Sequence, residues 1–416
     1  LLAHARDPIP KLREACPEAT PELETLFTSM VQKDRESRPP DMAAVIAGLA
    51  AVRAGVAPEI PIVRKPRRRR PRWALPAVAL ALLGLLLWAL FGRGTPPSSG
   101  PAEDDVVEAT APLVRVLRGH TGAVHSVRPH PDGKRLLSGA GDHSVGIWDI
   151  ATGELLGRLA GHTDSVRSVL CLSDGNTVIS ASDDKTIRIW DLAKRTTRHV
   201  LEGNQAKVRM LALAVDESWF ASAGKDGTLR IWDLPAGTER VVRREHGPWI
   251  GSSVGLMGVT VRPDGKALAT VAFDRTVRIF DTETFALQKT LGPYEESMGT
   301  VAYAGRGDLL LHDYGAGPVR ALAADGSHVV HTLVGHEDFV YSMACARTRP
   351  IAATGSQDQS LSLWNLETGE EIAVLRGHEF TVGSVAFSLD EKLLFSGAGD
   401  ETIRVWDVRA FTAPGD

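Results

Sequence analysis

Histidine, a hydroxyl residue and aspartate recur together four times in this 416-residue chain at one spacing. The sets are His120, Ser138, Asp142; His162, Ser180, Asp184; His336, Thr354, Asp358; and His378, Ser396, Asp400. These are the residue types of a nucleophilic triad, in which imidazole takes the hydroxyl proton and a carboxylate orients the imidazole. Repetition argues against that chemistry. An active site needs one copy, whereas an element repeated at fixed spacing serves the repeat that carries it. Tryptophan follows each Asp by six residues (Trp148, Trp190, Trp364, Trp406), so each set has a fourth, apolar member. No residue of these sets is taken as catalytic.

Other reactive motifs are missing. The chain has no G-x-x-x-x-G-K-[ST], H-E-x-x-H or C-x-x-C, and His336-Glu337 and His378-Glu379 lack a second His four residues on. No metal or cofactor is expected. Cysteine is confined to Cys16, Cys171 and Cys345, the last two in one slot of well-separated repeats, so buried, unpaired thiols are expected.

The positioning elements follow from the period. Trp148, Trp190, Trp232, Phe280, Leu322, Trp364 and Trp406 are separated by 42, 42, 48, 42, 42 and 42 residues. Trp-Asp recurring at such a period marks four-stranded propeller blades. In the second repeat Glu154–Leu159, Val166–Leu172, Thr177–Ser182 and Thr186–Asp191 alternate or run apolar between turn residues. Turns recur as Pro131-Asp132-Gly133, Asp174-Gly175 and Pro263-Asp264-Gly265, where glycine supplies positive φ.

On these residues the chain closely resembles the WD-repeat family. The resemblance implies an all-β, seven-bladed WD40 β-propeller over residues 113–416, with His, Ser/Thr, Asp and Trp of each blade in one hydrogen-bonded chain. Asp would accept from imidazole, imidazole from the hydroxyl and the hydroxyl from indole, leaving no buried polar member unsatisfied. It also implies ring closure: Leu113–Arg118 has the sequence of the strand missing after Thr402–Asp407, and pairing the two removes exposed sheet edges. Three blades depart from the pattern. The third has Asn204 in the His slot. The fourth keeps His246, Thr270 and Asp274 but has Phe280 for Trp and six extra residues. The fifth aligns Tyr294, His312, Ala316 and Leu322, so its polar chain is absent and its outer turns should be looser.

Partners of WD-repeat proteins often meet the face bearing the starts of the innermost strands and the residue before each Asp. Matched by alignment, blades two and three present Arg167, Asp183, Lys207, Arg209 and Lys225 there. Blades four and six present Met257, Phe273, Phe339, Tyr341 and Gln357, with Trp249 and Ile250 in the extra segment. Aromatic anchors beside Arg and Lys have the composition of a binding hot spot for an acidic-apolar protein or peptide ligand.

The N-terminal part reads differently. Trp73–Phe91 is 19 residues without a charge, long enough for about 28 Å of helix, and reads as one transmembrane helix. Seven Arg and Lys precede it between Arg64 and Arg72, while only Arg93 follows closely. That bias puts residues 1–72 in the cytoplasm and the propeller outside, with membrane contact through residues 73–91. Residues 54–72 form a basic juxtamembrane segment and 92–112 a Pro/Ser/acidic linker. Residues 1–91 hold 14 basic and 9 acidic side chains, the remainder 33 and 42, and an acidic propeller argues against nucleic-acid binding.

Residues 1–53 suggest short helices too few to make a core. The order Met30, Lys33-Asp34, Arg38-Pro39 and a closing Val/Leu helix is similar to the C-lobe terminus of Ser/Thr protein kinases. In that family the Arg at the position of Arg38 ties the last helices to a Glu after the activation loop. The kinase G-x-G-x-x-G, Val-Ala-Ile-Lys, His-Arg-Asp and Asp-Phe-Gly motifs do not occur, so this chain is expected not to be an enzyme. With Leu1 at its start, the chain is expected to be a truncated product of a membrane-anchored receptor-like kinase, its propeller a scaffold or sensor domain. The alternative is that the parent polypeptide is an active, ATP-binding kinase regulated by the propeller.

Overall fold

The computed structural model describes residues 112–412, apart from 235, 245, 247–254, 295–297 and 314–317. The segments expected at 1–53, 54–72 and 73–91, and the linker up to 111, lie outside the described residues, as do Trp249 and Ile250. Among the described residues no helix is long and apolar enough to cross a membrane; the one helix there is Arg409–Thr412.

Seven four-stranded antiparallel sheets form the blades. Blade two runs inner strand Val166–Cys171, second strand Thr177–Ser182, third strand Ile187–Asp191 and outer strand Thr196–Leu201. Burial peaks at the second strand and falls towards the rim. Every residue of the second strand is buried, whereas four of the six outer-strand residues are exposed. A strand covered on both faces reads as a continuous run of small and apolar residues, and Thr-Val-Ile-Ser-Ala-Ser is such a run. Glu154–Leu159, placed with the second repeat by sequence, becomes Leu155–Ala160, the outer strand of blade one.

Closure takes the expected form. Leu113–Leu117 lies beside Ile403–Asp407 in the sheet of blade seven, with Leu113 opposite Trp406 and Leu117 opposite Ile403. The core is divided among the blade interfaces. Leu117, Val124, Trp148, Phe395 and Ile403 cluster between blades seven and one, and Val145, Val166 and Trp190 between blades one and two. Each marker residue fills the seam with the preceding blade: Phe280 in the cluster with blade three, Leu322 in that with blade four. The period is thus a packing period, with one large apolar residue per seam.

The glycine turns also form as read, with φ of 68° at Gly133, 64° at Gly175 and 73° at Gly265. Cys171 and Cys345 are free; both are half-buried rather than buried, and desolvation pushes each thiol up to about 12.

Candidate functional site

The recurrent polar sets meet the distances of a triad. In blade two His162 Nδ1 lies 2.7 Å from Asp184 Oδ2, and Ser180 Oγ lies 2.8 Å from His162 Nε2. The indole of Trp190 donates to the same Oγ at 2.7 Å. Blades one, six and seven repeat this arrangement within 0.2 Å. The hydroxyls of Ser138, Ser180, Thr354 and Ser396 are wholly buried, so no substrate carbonyl reaches them. Burial alone would raise the Asp184 carboxyl, but bonds from His162 and Thr186 outweigh it and hold the group below its usual range. These sets are locks.

The departures behave as their residues dictate. Blade four keeps the His246 bonds to Asp274 and Thr270, at 2.9 and 2.8 Å. In blade three Trp232 still donates to Ser222, but both side-chain polar atoms of Asn204 are buried without a partner. In blade five the chain is gone. His312 stands in the hydroxyl slot, fully buried, with Nδ1 bonded to the Asp313 carbonyl, and Tyr294 packs on its ring.

A different device positions residues for binding. The inner strands of six blades carry a register irregularity after their first residue, between Val124/Ser126, Val166/Ser168, Val208/Met210, Leu256/Gly258, Val340/Ser342 and Val382/Ser384. The residue skipped is His125, Arg167, Arg209, Met257, Tyr341 or Gly383. Bulges re-aim a side chain out of the ladder. Here they gather one residue per blade at the starts of the inner strands, around the ring centre. Blade five lacks the bulge, and its inner strand is only Val301–Tyr303. There Gly299 and Thr300 donate their N–H groups to the wholly buried Asp313 carboxyl at 2.8–2.9 Å. Burial pushes that carboxyl up to about 7 despite these bonds.

The basic sector expected on blades two and three is assembled and partly neutralised from within. Asp183, buried, accepts from Arg167 at 2.5 Å and from Lys207 at 2.9 Å, and Lys207 also lies 3.7 Å from Asp164. Desolvation works against the Asp183 charge, but those bonds keep its pKa below the usual carboxylate range. His125, which sequence reasoning passed over, lies 3.1 Å from Arg167 through Nε2. Burial, then the neighbouring Arg167 charge, pushes its pKa down to about 4, leaving a neutral imidazole to accept from the guanidinium. Its signal was present: position 125 is one 42-residue step before Arg167. Arg209 differs from its neighbours. It has no hydrogen bond or ion pair among the described residues, and its Nε is buried without a partner.

Tyr341 lies within electrostatic range of Arg209 and donates to Gln357 Oε1 at 3.1 Å, while Gln357 donates to Asp338 at 3.0 Å. Phe339 and Tyr341 stand 38% and 43% exposed. Phe273, half-buried, donates its backbone N–H to Gly255, next to the Lys225 stem. Met257 is likewise half-buried. Phe380 on blade seven was also missed: it is 60% exposed, in the turn slot held by Gly122 and Asp164 in blades one and two. Among the described residues no group of three or more His, Cys, Asp or Glu is placed to hold a metal ion.

Comparison with known proteins gives the same repeats. The profile of the WD domain, G-beta repeat matches residues 111–149, 153–191, 195–233, 244–281, 327–365 and 369–407, together more than half of the chain. It passes over blade five. The chain is 32% identical over 145 residues to WD repeat-containing protein AAC3 of Dictyostelium discoideum, covering 32% of this chain and 30% of that one. It is 41% identical over 69 residues to Protein Mut11 of Chlamydomonas reinhardtii, covering 13% of this chain and 19% of that one. Over 43 residues it is 46% identical to pre-mRNA-splicing factor prp46 of Emericella nidulans, 10% of either chain. The matched regions span less than a third of each relative's length.

Proposed function

The chain belongs to the WD domain, G-beta repeat family, and from that premise we propose that it is a non-catalytic docking platform whose partner, an acidic-apolar protein segment, meets the bulge residues at the ring centre. A seven-bladed propeller of this family is suited to protein interaction. One observation carries the choice of surface: Arg209, among the charged bulge residues, has no hydrogen bond or ion pair among the described residues. Arg167 and Lys207 are held by Asp183, whereas burial, then the Arg167 charge, works against the Arg209 charge and Asp183 only partly offsets them. A guanidinium so placed gains most from an incoming carboxylate, and the exposed Tyr341 and Phe339 of blade six offer apolar anchors on the same face. Placing a photo-crosslinking residue at Tyr341, and separately at the exposed rim residue Val200, tests this reading. Crosslinks at 341 that vanish on Arg209→Ala support it; equal capture at both positions refutes it.

The propeller's setting is inferred from sequence alone. The uncharged run 73–91 and the seven preceding basic residues support a single-pass anchor with residues 1–72 cytoplasmic and the propeller extracytoplasmic. The order of residues around Arg38-Pro39 supports a Ser/Thr kinase context for the anchor, with the propeller as its sensor or scaffold. Protease added to intact, wall-stripped cells should remove the propeller; a propeller cleaved only after lysis refutes the orientation.

A further inference from the structure

Blade seven has a glycine both at its bulge and before its Asp, two positions of the binding face that carry side chains in blades two, three, four and six. Gly383 is its bulge residue and Gly399 precedes its Asp400, where blades two, three, four and six have Asp183, Lys225, Phe273 and Gln357. Neither glycine has positive φ, so backbone conformation does not require them. Space at both is tight. A Cβ on Gly399 would lie 3.1 Å from Cβ of Phe380, and one on Gly383 would lie 3.3 Å from the Val124 carbonyl oxygen. Phe380 therefore lies along a strip of bare backbone while remaining 60% exposed. Blade one continues the strip with Gly122 and Gly141, both half-exposed. Phe339 and Tyr341 stand on blade six, whose inner strand neighbours that of blade seven and holds Val385 N–H through Ser342 Oγ at 3.0 Å.

We propose that this glycine floor, walled by Phe380 on one side and Tyr341 and Phe339 on the other, is a subsite for one aromatic or large aliphatic side chain of the docked segment. The inference rests on the reading that Arg209 receives an acidic partner. Charge sets the polarity of binding. Arg167, Lys207, Arg209 and Lys225 occupy blades two and three, whereas Glu337, Asp338 and Glu379 flank the aromatic residues of blades six and seven. With Arg167 and Lys207 held by Asp183, a carboxylate is attracted to Arg209 and Lys225 in the first sector and repelled from the second. The ligand is thus an extended segment with its acid at blades two and three and an uncharged, bulky side chain at blade seven. The exposed rings of Phe380, Tyr341 and Phe339 favour a bulky occupant, because they bury its apolar surface.

Panning a displayed random-peptide library on the full chain and on two variants tests the assignment. The wild-type pool should be enriched in Asp or Glu and in one Phe, Trp or Leu. On Phe380→Ala the bulky residue should lose its enrichment by about tenfold while the acid stays. On Arg209→Ala the acid should go while the bulky residue stays. Phe380→Leu, which preserves an apolar wall, should retain the wild-type preference. A pool that responds to Arg209→Ala but not to Phe380→Ala overturns the subsite and leaves the docking reading standing. A pool that responds to neither variant, or fails to emerge, overturns both.

Discussion

Blade two and blade five occupy equivalent places in one ring yet are held by different means. Blade two has the full lock, His162 between Asp184 and Ser180, with Trp190 on the hydroxyl and in the seam with blade one. Blade five has none of it. Leu322 fills the seam with blade four, His312 replaces the hydroxyl residue, and the inner strand is pinned by a buried carboxyl on two amides. The common feature is the large apolar residue in the seam. Packing between blades makes the ring, and the polar lock fixes the turns within a blade.

That ordering gives the first prediction. Trp148→Ala should cost about 3–5 kcal/mol, and Leu322→Ala about 2–5 kcal/mol, because both open a seam although only the first breaks a lock. Chemical denaturation with an unchanged slope reads both values. A Leu322→Ala protein as stable as wild type would remove seam packing from blade five.

A smaller difference is expected within the locks. His162→Ala leaves Ser180 and Asp184 without their imidazole and should cost about 2–4 kcal/mol. Tyr294→Ala, in the equivalent slot of blade five, loses ring contacts with His312 and Arg320 and should cost only about 1–2 kcal/mol. Equal losses would mean that the His slot matters for volume alone.

Acid separates the two designs by sign. Asp142, Asp184, Asp358 and Asp400 are depressed because their bonds outweigh burial, so their stabilisation is full above the unfolded pKa and lost as pH falls below it. Asp313 is the reverse. Burial raises it from 3.8 to about 7, so the folded protein keeps a proton that the unfolded chain has released. Its contribution is full below the unfolded pKa and lost as pH rises towards about 7. Between pH 5 and 6, Asp313→Asn should remove a fall in stability of about 1.4 kcal/mol that wild type shows. A parallel pair of pH profiles would refute the buried carboxyl's role.

The smallest effect concerns the turns on the way to the second strand. Blade five turns on Gly307, at φ 73°, whereas blade seven uses Glu391 at φ 57°. Its carboxylate accepts from Arg347 and Thr348 N–H of blade six at 2.6 and 2.9 Å, which offsets the backbone strain. Glu391→Gly should relax the turn yet cost about 1 kcal/mol net through the lost tie. A more stable variant would show that strain exceeds the clamp.

The sequence made the repeats legible because seam packing needs one bulky residue per blade, so Trp148 to Trp406 keep time even where Phe280 and Leu322 substitute. The closing strand was legible for the same reason, since Leu113–Leu117 carries the apolar pattern of the missing element. The binding face was only half legible. Alignment brought Arg167, Arg209 and Tyr341 together, but could not reveal that Asp183 neutralises Arg167 and Lys207, residues 16 and 24 positions away. Nor could it mark Phe380, whose slot holds Gly122, Asp164, Ala206 and Asp338 in blades one, two, three and six and shows no aromatic pattern to extend. Asp313 stood in a slot of small or apolar residues such as Gly139, Ala181 and Gly355, a departure that the fit to His, hydroxyl and Asp did not inspect.

Hydrogen–deuterium exchange of the full chain with and without a peptide from the selected pool tests the central claim most directly. The account predicts slowed exchange at the bulges, in residues 166–168, 208–210 and 340–342, and at 380–383, with the turns at Gly133, Gly175 and Gly265 unchanged. Protection confined to those turns or to the outer strands would contradict it.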